Sequence, residues 1–112
     1  MSMLDWNNYR RQVVAGVGEI GKLTPDTVKG YAMLNGAGSK TGHLDAKTRE
    51  LIALAAAISL RCDGCITVHA AEAKKHGATE GEVAEALGAA ISVNAGAALV
   101  YSTRAHEAFR EA

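Results

Sequence analysis

The sequence predicts an all-α protein, a single domain over residues 1–112 built as a bundle of about six helices. Three observations support this fold class. Apolar residues recur with the 3.6-residue period of a helix, and no two segments alternate as adjacent strands do. Helix-capping residues and glycines bound the apolar segments. A chain this short has a small core, so helices that are apolar on several faces favour a homo-oligomer.

The first half of the chain predicts three helices. The first has an apolar stripe at helical spacing, formed by Trp6, Tyr9, Val13, Val17 and Ile20. Thr24 and Pro25 then provide the N-cap and first position of a second helix. That helix is predicted to end near Gly36, with a flexible loop over 36–43. Asp45 caps a third helix that runs through Leu60 and is apolar nearly all round, which is typical of a central helix.

The Cys62–Gly64 segment interrupts the helical pattern, and Asp63 is the predicted N-cap of a fourth helix. This helix is expected to end at His76, followed by Gly77 in the position where helices favour glycine.

Thr79 and Glu82 form a capping-box pattern that opens a fifth helix. Asn94 and Gly96 predict an interruption before a sixth helix, which ends near Phe109.

The charge and hydropathy of the sequence argue against nucleic acid and membranes as partners. Twelve basic and twelve acidic residues give a formal net charge of zero, so no basic excess points to nucleic acid or a membrane surface. The N-terminal residues lack the apolar segment of a signal peptide. The apolar run over 51–60 is too short to cross a bilayer. We therefore expect a cytoplasmic protein that contacts neither nucleic acid nor membrane.

Four residues form the pattern E-x11-C-x2-C-x3-H, namely Glu50, Cys62, Cys65 and His69. The chain has no other cysteine, and in a reducing compartment a C-x-x-C pair favours redox or metal chemistry. Cys65 and His69 are helical i,i+4 neighbours, so an imidazole there can accept the thiol proton and favour the nucleophilic thiolate. Glu50 is the candidate partner that orients the imidazole.

Zinc is the competing interpretation, because the two cysteines and His69 are three ligands of the right type. Structural zinc sites usually take two ligand pairs, and the chain has no second C-x-x-C or H-x3-H. The sequence therefore predicts neither a bound metal nor a cofactor.

The run KTRELIALAAAISLRCDGCITVHAAEAKKHGAT resembles the carboxymuconolactone decarboxylase family, in its alkylhydroperoxidase D-like branch, and the similarity covers about residues 24–100. Glu50, Cys62, Cys65 and His69 each match a residue of that branch's redox site. The resemblance implies an all-helical homotrimer or homohexamer. It also implies a thiol-dependent peroxidase or disulfide oxidoreductase, acting on hydroperoxides with a dithiol reductant or a peroxiredoxin-type protein. Some members carry a histidine where this chain has Gly64.

Two other functions stay open from the sequence. An acid–base enzyme like the family's namesake decarboxylase would need a cationic pocket, for which Lys40, His43 and Arg49 are available without an evident arrangement. A non-catalytic oligomeric binding module would use the cysteines for a metal site or a disulfide. Tyr31 and Met33 are expected to pack in the core rather than to line a substrate pocket.

Overall fold

A computed structural model describes residues 2–112 and contains five helices in that range, without a strand. Their bounds are α1 Trp6–Leu23, α2 Pro25–Thr41, α3 Ala46–Leu60, α4 Asp63–Lys75 and α5 Glu80–Glu111. The all-α prediction is confirmed, and the predicted sixth helix is wrong because the last two predicted helices form one.

Helix α2 continues through the segment that the sequence predicted as a loop. It ends at Thr41, and Gly42 follows in the left-handed conformation with a φ of 67°. The guanidinium of Arg49 on α3 donates to the carbonyl oxygen of Gly38 at 3.3 Å and to that of Leu44. A cation that binds the last carbonyls of a helix stabilises its final turn. This contact from a distant residue extends α2 through the glycine-rich sequence.

Helix α5 is continuous through Asn94, where an interruption was predicted. The Asn94 side-chain amide donates to the Ser59 hydroxyl at 2.8 Å and to the Ala90 carbonyl at 2.7 Å. Asparagine weakens helices by competing for nearby backbone groups. Here the amide instead ties α5 to α3, so the helix continues without a break.

Three other predicted helix ends are confirmed. The Asp45 carboxylate accepts from the Thr48 N–H at 2.8 Å at the start of α3. Thr79 and Glu82 form the reciprocal capping box of α5. Gly77 follows α4 with a φ of 86°, a conformation that favours glycine.

Helix α3 lies at the centre and packs against α4 and α5, while α1 packs against α2 and α4. Within residues 2–112 the buried set is small: Leu54, Ala57, Thr67, Ala73 and Ala90. The second half of α5, residues 97–111, is exposed throughout. By length and composition alone, α5 is also apolar enough to cross a membrane, a test that core helices of soluble proteins pass as well.

Candidate redox site

A two-residue turn between α3 and α4 contains Cys62, and Cys65 lies in the first turn of α4. Arg61 ends α3 in the left-handed conformation, with a φ of 54°, and the Cys62 N–H donates to the Ala57 carbonyl at 3.1 Å. Cys62 and Cys65 form a disulfide whose Cα atoms are 5.3 Å apart. The turn therefore places both sulfurs at the N-terminal end of α4.

The N-cap of α4 is Cys62, not Asp63 as predicted. Asp63 is the first residue of the helix, and the Cys62 sulfur accepts a hydrogen bond from the Cys65 N–H at 3.2 Å. A sulfur in the N-cap position interacts with the positive end of the helix dipole, which favours its thiolate once the disulfide is reduced.

Glu50 and His69 form the closest polar contact near the sulfurs. Glu50 Oε2 on α3 lies 2.7 Å from His69 Nδ1 on α4, and the side chains of histidine and glutamate are 14% and 22% exposed. An ionised carboxylate only accepts hydrogen bonds, so Nδ1 carries the proton of this contact. In the neutral imidazole, Nε2 is then an acceptor. The predicted pairing of these two residues is present.

A cavity of about 540 Å³ opens beside the disulfide. Both cysteines and His69 line it, together with residues of α1 and α2, namely Val13, Val14, Val17, Thr27, Val28, Tyr31 and Asn35. Sequence reasoning identified the α1 stripe only as the apolar face of a helix and missed it as a wall of the site. Helical spacing shows that a helix has an apolar face but carries no signal of what that face meets.

Tyr31 and Met33 do not pack in the core as predicted. Tyr31 is 58% exposed and lines the cavity, whereas Met33 is 70% exposed and lies outside it. Both lie on α2, which packs mainly against α1 within residues 2–112.

The predicted contact between Cys65 and His69 is not a hydrogen bond in this disulfide form. Over residues 2–112, the imidazole shares the cavity with the sulfurs but bonds to Glu50 alone. With both sulfurs in the disulfide, neither is a thiolate that can bind zinc. No group of three or more His, Cys, Asp or Glu side chains in that same range is arranged around a metal position.

The cations considered for decarboxylation do not converge. Lys40 and His43 are exposed at the end of α2 and in the following turn, and neither lines the cavity. Arg49 binds backbone carbonyl oxygens instead. The structure therefore assembles the four residues of the E-x11-C-x2-C-x3-H pattern and leaves these cations apart.

Known proteins resemble this chain along most of its length. An uncharacterized protein of Haemophilus influenzae is 51% identical over 105 residues, covering 94% of this chain and 93% of that protein. A protein of Paracoccus denitrificans, uncharacterized protein 4 in the cox locus, is 32% identical and covers 81% of this chain and 82% of its own.

The fold also matches a solved structure. The crystal structure of an apo carboxymuconolactone decarboxylase family protein from Legionella pneumophila superposes with a TM-score of 0.74 and is 36% identical, covering 95% of both chains. The sequence model of the carboxymuconolactone decarboxylase family matches residues 25–108. By fold and by sequence, the chain therefore belongs to the carboxymuconolactone decarboxylase family.

Proposed function

We propose that the protein is a thiol-dependent peroxidase of the alkylhydroperoxidase D-like branch, which reduces hydroperoxides through Cys62 and Cys65. One observation carries this proposal: the two sulfurs are within bonding distance in the wall of a cavity that His69 also lines, and Glu50 holds the His69 ring from outside the lining. A reversible disulfide, an oriented base and room for a substrate are the parts that this chemistry needs.

In the first step, the Cys65 thiolate attacks the terminal oxygen of the hydroperoxide. The O–O bond breaks, Cys65 becomes a sulfenic acid, and the departing alkoxide takes up a proton to give the alcohol. His69 lines the cavity and, when protonated, can supply that proton. Glu50 fixes the ring through Nδ1, which leaves Nε2 as the nitrogen that exchanges protons in the cavity.

In the second step, the Cys62 thiolate attacks the Cys65 sulfur and expels hydroxide, which takes a proton from solvent and leaves as water, and the disulfide closes. One thiol of an external dithiol, or of a peroxiredoxin-type protein, then attacks Cys65 and expels Cys62 as a thiolate, and the donor's second thiol attacks the resulting mixed disulfide and releases Cys65. The N-cap hydrogen bond from the Cys65 N–H favours Cys62 as that leaving group. Two electrons pass from the dithiol to the hydroperoxide in each cycle, in keeping with the reducing cytoplasm that we propose as its location.

The test is hydroperoxide consumption with dithiothreitol as the electron donor, comparing the wild type with Cys65→Ser and Cys62→Ser. We expect Cys65→Ser to lose all turnover. In a single-turnover assay without dithiothreitol, Cys62→Ser is expected to consume one equivalent of hydroperoxide and to stop as the sulfenic acid, because it has no resolving thiol. Unchanged turnover in Cys65→Ser, or a wild type with unreactive thiols, would contradict the proposal.

We further propose that the working form is a homo-oligomer, a trimer or hexamer. The chain exposes 8636 Å² at a mass of 11.6 kDa, whereas a compact monomer of that mass exposes roughly 5,800 Å². The radius of gyration is 17.8 Å, against about 13 Å for a compact domain of this length. The excess is far above the roughly 800 Å² per partner of a standard interface.

The second half of α5 provides much of this excess area. Residues 86–103 carry no charged side chain, and Leu99, Val100 and Phe109 are each at least 70% exposed. An apolar helix of this kind needs a partner to bury it. We expect light scattering in detergent-free buffer to give three or six times the chain mass, and Leu99→Glu to lower it. A monomeric wild type, or one that sediments only with lipid vesicles, would refute the oligomer.

A further inference from the structure

Helix α1 lies outside the segment that matches the family, yet it forms one wall of the redox cavity. The family match begins at residue 25, whereas α1 ends at Leu23. Val13, Val14 and Val17 of α1 all line the cavity, opposite the cysteines and His69. The part of the site that a substrate meets is therefore built partly by residues beyond the family's shared domain.

Helix α1 is held firmly against the cysteine turn. The Thr67 hydroxyl, in a residue that is 3% exposed, donates to the Trp6 carbonyl at 3.0 Å and fixes the start of α1 on α4. A Cβ at Gly64, between the two cysteines, would lie 3.4 and 3.5 Å from the Val13 methyl groups. The α1 wall thus touches the turn that carries both sulfurs, so its side chains set the shape of the space beside them.

The side chains that line the cavity are mostly apolar. Five of its residues are valines, contributed by α1, α2 and α4, and no Lys, Arg, Asp or Glu side chain is among the described residues that line it. A charged ligand entering this space would lose hydration without an ion partner, which is costly. An uncharged ligand with an apolar body would instead bury its surface against the valines.

We infer that α1 is the substrate-selecting wall of the site, with Val13 and Val17 as specificity-determining residues that admit uncharged apolar molecules and disfavour charged ones. This inference rests on the proposed function for the identity of the substrate as an organic hydroperoxide. The selection itself acts on any reagent that must reach the sulfurs through the cavity, so it is measurable without turnover.

The first experiment uses the reduced protein and two thiol reagents of nearly equal size, neutral iodoacetamide and anionic iodoacetate. Val17→Lys places a cation on the wall, and Gln12→Lys places the same charge on an exposed position of α1 that does not line the cavity. We expect Val17→Lys to raise the ratio of the iodoacetate rate to the iodoacetamide rate by about 10-fold over wild type. Gln12→Lys should change it less than about 2-fold. Equal ratios in the two variants would overturn the inference.

The second experiment measures kcat/KM for cumene hydroperoxide and for hydrogen peroxide with dithiothreitol as the donor. In Val17→Ala we expect the value for cumene hydroperoxide to fall by about 10-fold, the usual effect of lost methyl contacts in an apolar pocket. The value for hydrogen peroxide, which is too small to fill the cavity, should stay within about 2-fold. A parallel fall for both substrates would contradict a selecting wall.

The two experiments separate the inference from the proposed function. If Val17→Lys changes the alkylation ratio but the protein consumes no hydroperoxide, the peroxidase function is refuted and the selecting role of α1 is supported. If the protein consumes hydroperoxide but neither the alkylation ratio nor kcat/KM changes in the Val17 variants, the peroxidase function is supported and the selecting role of α1 is refuted. Circular dichroism and thiol counts, which should match the wild type, confirm that each variant is folded.

Discussion

Two acid–base pairs each include one residue of α3. Their nitrogen–oxygen distances are equal, but their surroundings differ. Lys47 Nζ lies 2.7 Å from Glu82 Oε2 on α5, and His69 Nδ1 lies 2.7 Å from Glu50 Oε2. The side chains of Lys47 and Glu82 are 34% and 38% exposed, and neither residue lines the redox cavity. The Glu50–His69 pair is more buried and His69 lines the cavity beside the sulfurs. Burial and neighbouring groups, rather than distance, distinguish a candidate functional pair from a structural one.

The Lys47–Glu82 pair joins the central helix to α5. Glu82 also accepts from the Thr79 N–H at 2.9 Å, so one carboxylate serves the capping box and the ion pair. The hydrogen bond with Lys47 lowers the pKa of Glu82 and the same bond raises the pKa of Lys47. Since water screens such exposed pairs, we assign it a modest role in stability and none in chemistry.

The largest predicted effect is on peroxidase activity, which should depend on the Glu50–His69 pair and not on the Lys47–Glu82 pair. We expect His69→Ala to lower kcat for cumene hydroperoxide by about 100-fold, the lower end of what a positioned acid or base contributes. Glu50→Gln should act in the same direction but less strongly, because an amide can still accept the Nδ1 hydrogen bond.

The matched controls are Lys47→Met and Glu82→Gln, which should keep kcat within about 2-fold of wild type because neither residue lines the cavity. Steady-state peroxide assays on all four variants make the comparison. A similar loss in both pairs would show that the activity follows overall stability and not the Glu50–His69 pair.

The next effect concerns Arg49, which lies between Lys47 and Glu50 in the sequence. A Cβ at Gly38 would lie 2.7 Å from the Arg49 Cδ atom, so Gly38→Ala would displace the guanidinium from the carbonyls that end α2. We expect a loss of about 1–2 kcal/mol in the free energy of unfolding, measured with urea.

Gly36→Ala is the control on the same helix, because a Cβ there meets nothing within 4 Å. Removing glycine from a helix should stabilise it by up to about 1 kcal/mol. Opposite signs for the two variants would support the role of Arg49, and equal signs would contradict it.

The smallest effect is the pH dependence of the Lys47–Glu82 pair. The lowered pKa of Glu82 gives stability that is present above the ordinary glutamate pKa and is lost as pH falls through the folded value. The raised pKa of Lys47 gives stability that is present below the ordinary lysine pKa and is lost as pH rises through the folded value. We therefore expect Tm to decline at both extremes.

The double variant Lys47→Met with Glu82→Gln should have a lower Tm at neutral pH and a flatter profile, measured by circular dichroism. If wild type and double variant differ by the same amount at every pH, the pair does not stabilise the fold through its charges.

The local features of this protein were predictable from its sequence. Helix class, the Asp45 cap and the Thr79–Glu82 capping box depend on residues within one or two turns, and the structure confirms them. The pairing of Glu50 with His69 was predictable as well, because a glutamate in a mostly apolar helix needs a polar partner.

Tertiary contacts decided the rest. Arg49 extends α2 across a glycine-rich segment, and Ser59 binds the Asn94 amide so that α5 continues. Sequence reasoning missed both because each contact joins residues on different helices, where local propensity says nothing about a partner. The α1 stripe had the period of a core helix, and only the packing of α1 on α4 placed Val13 and Val17 beside the sulfurs. A period shows that a helix has an apolar face, whereas the three-dimensional arrangement determines what that face meets.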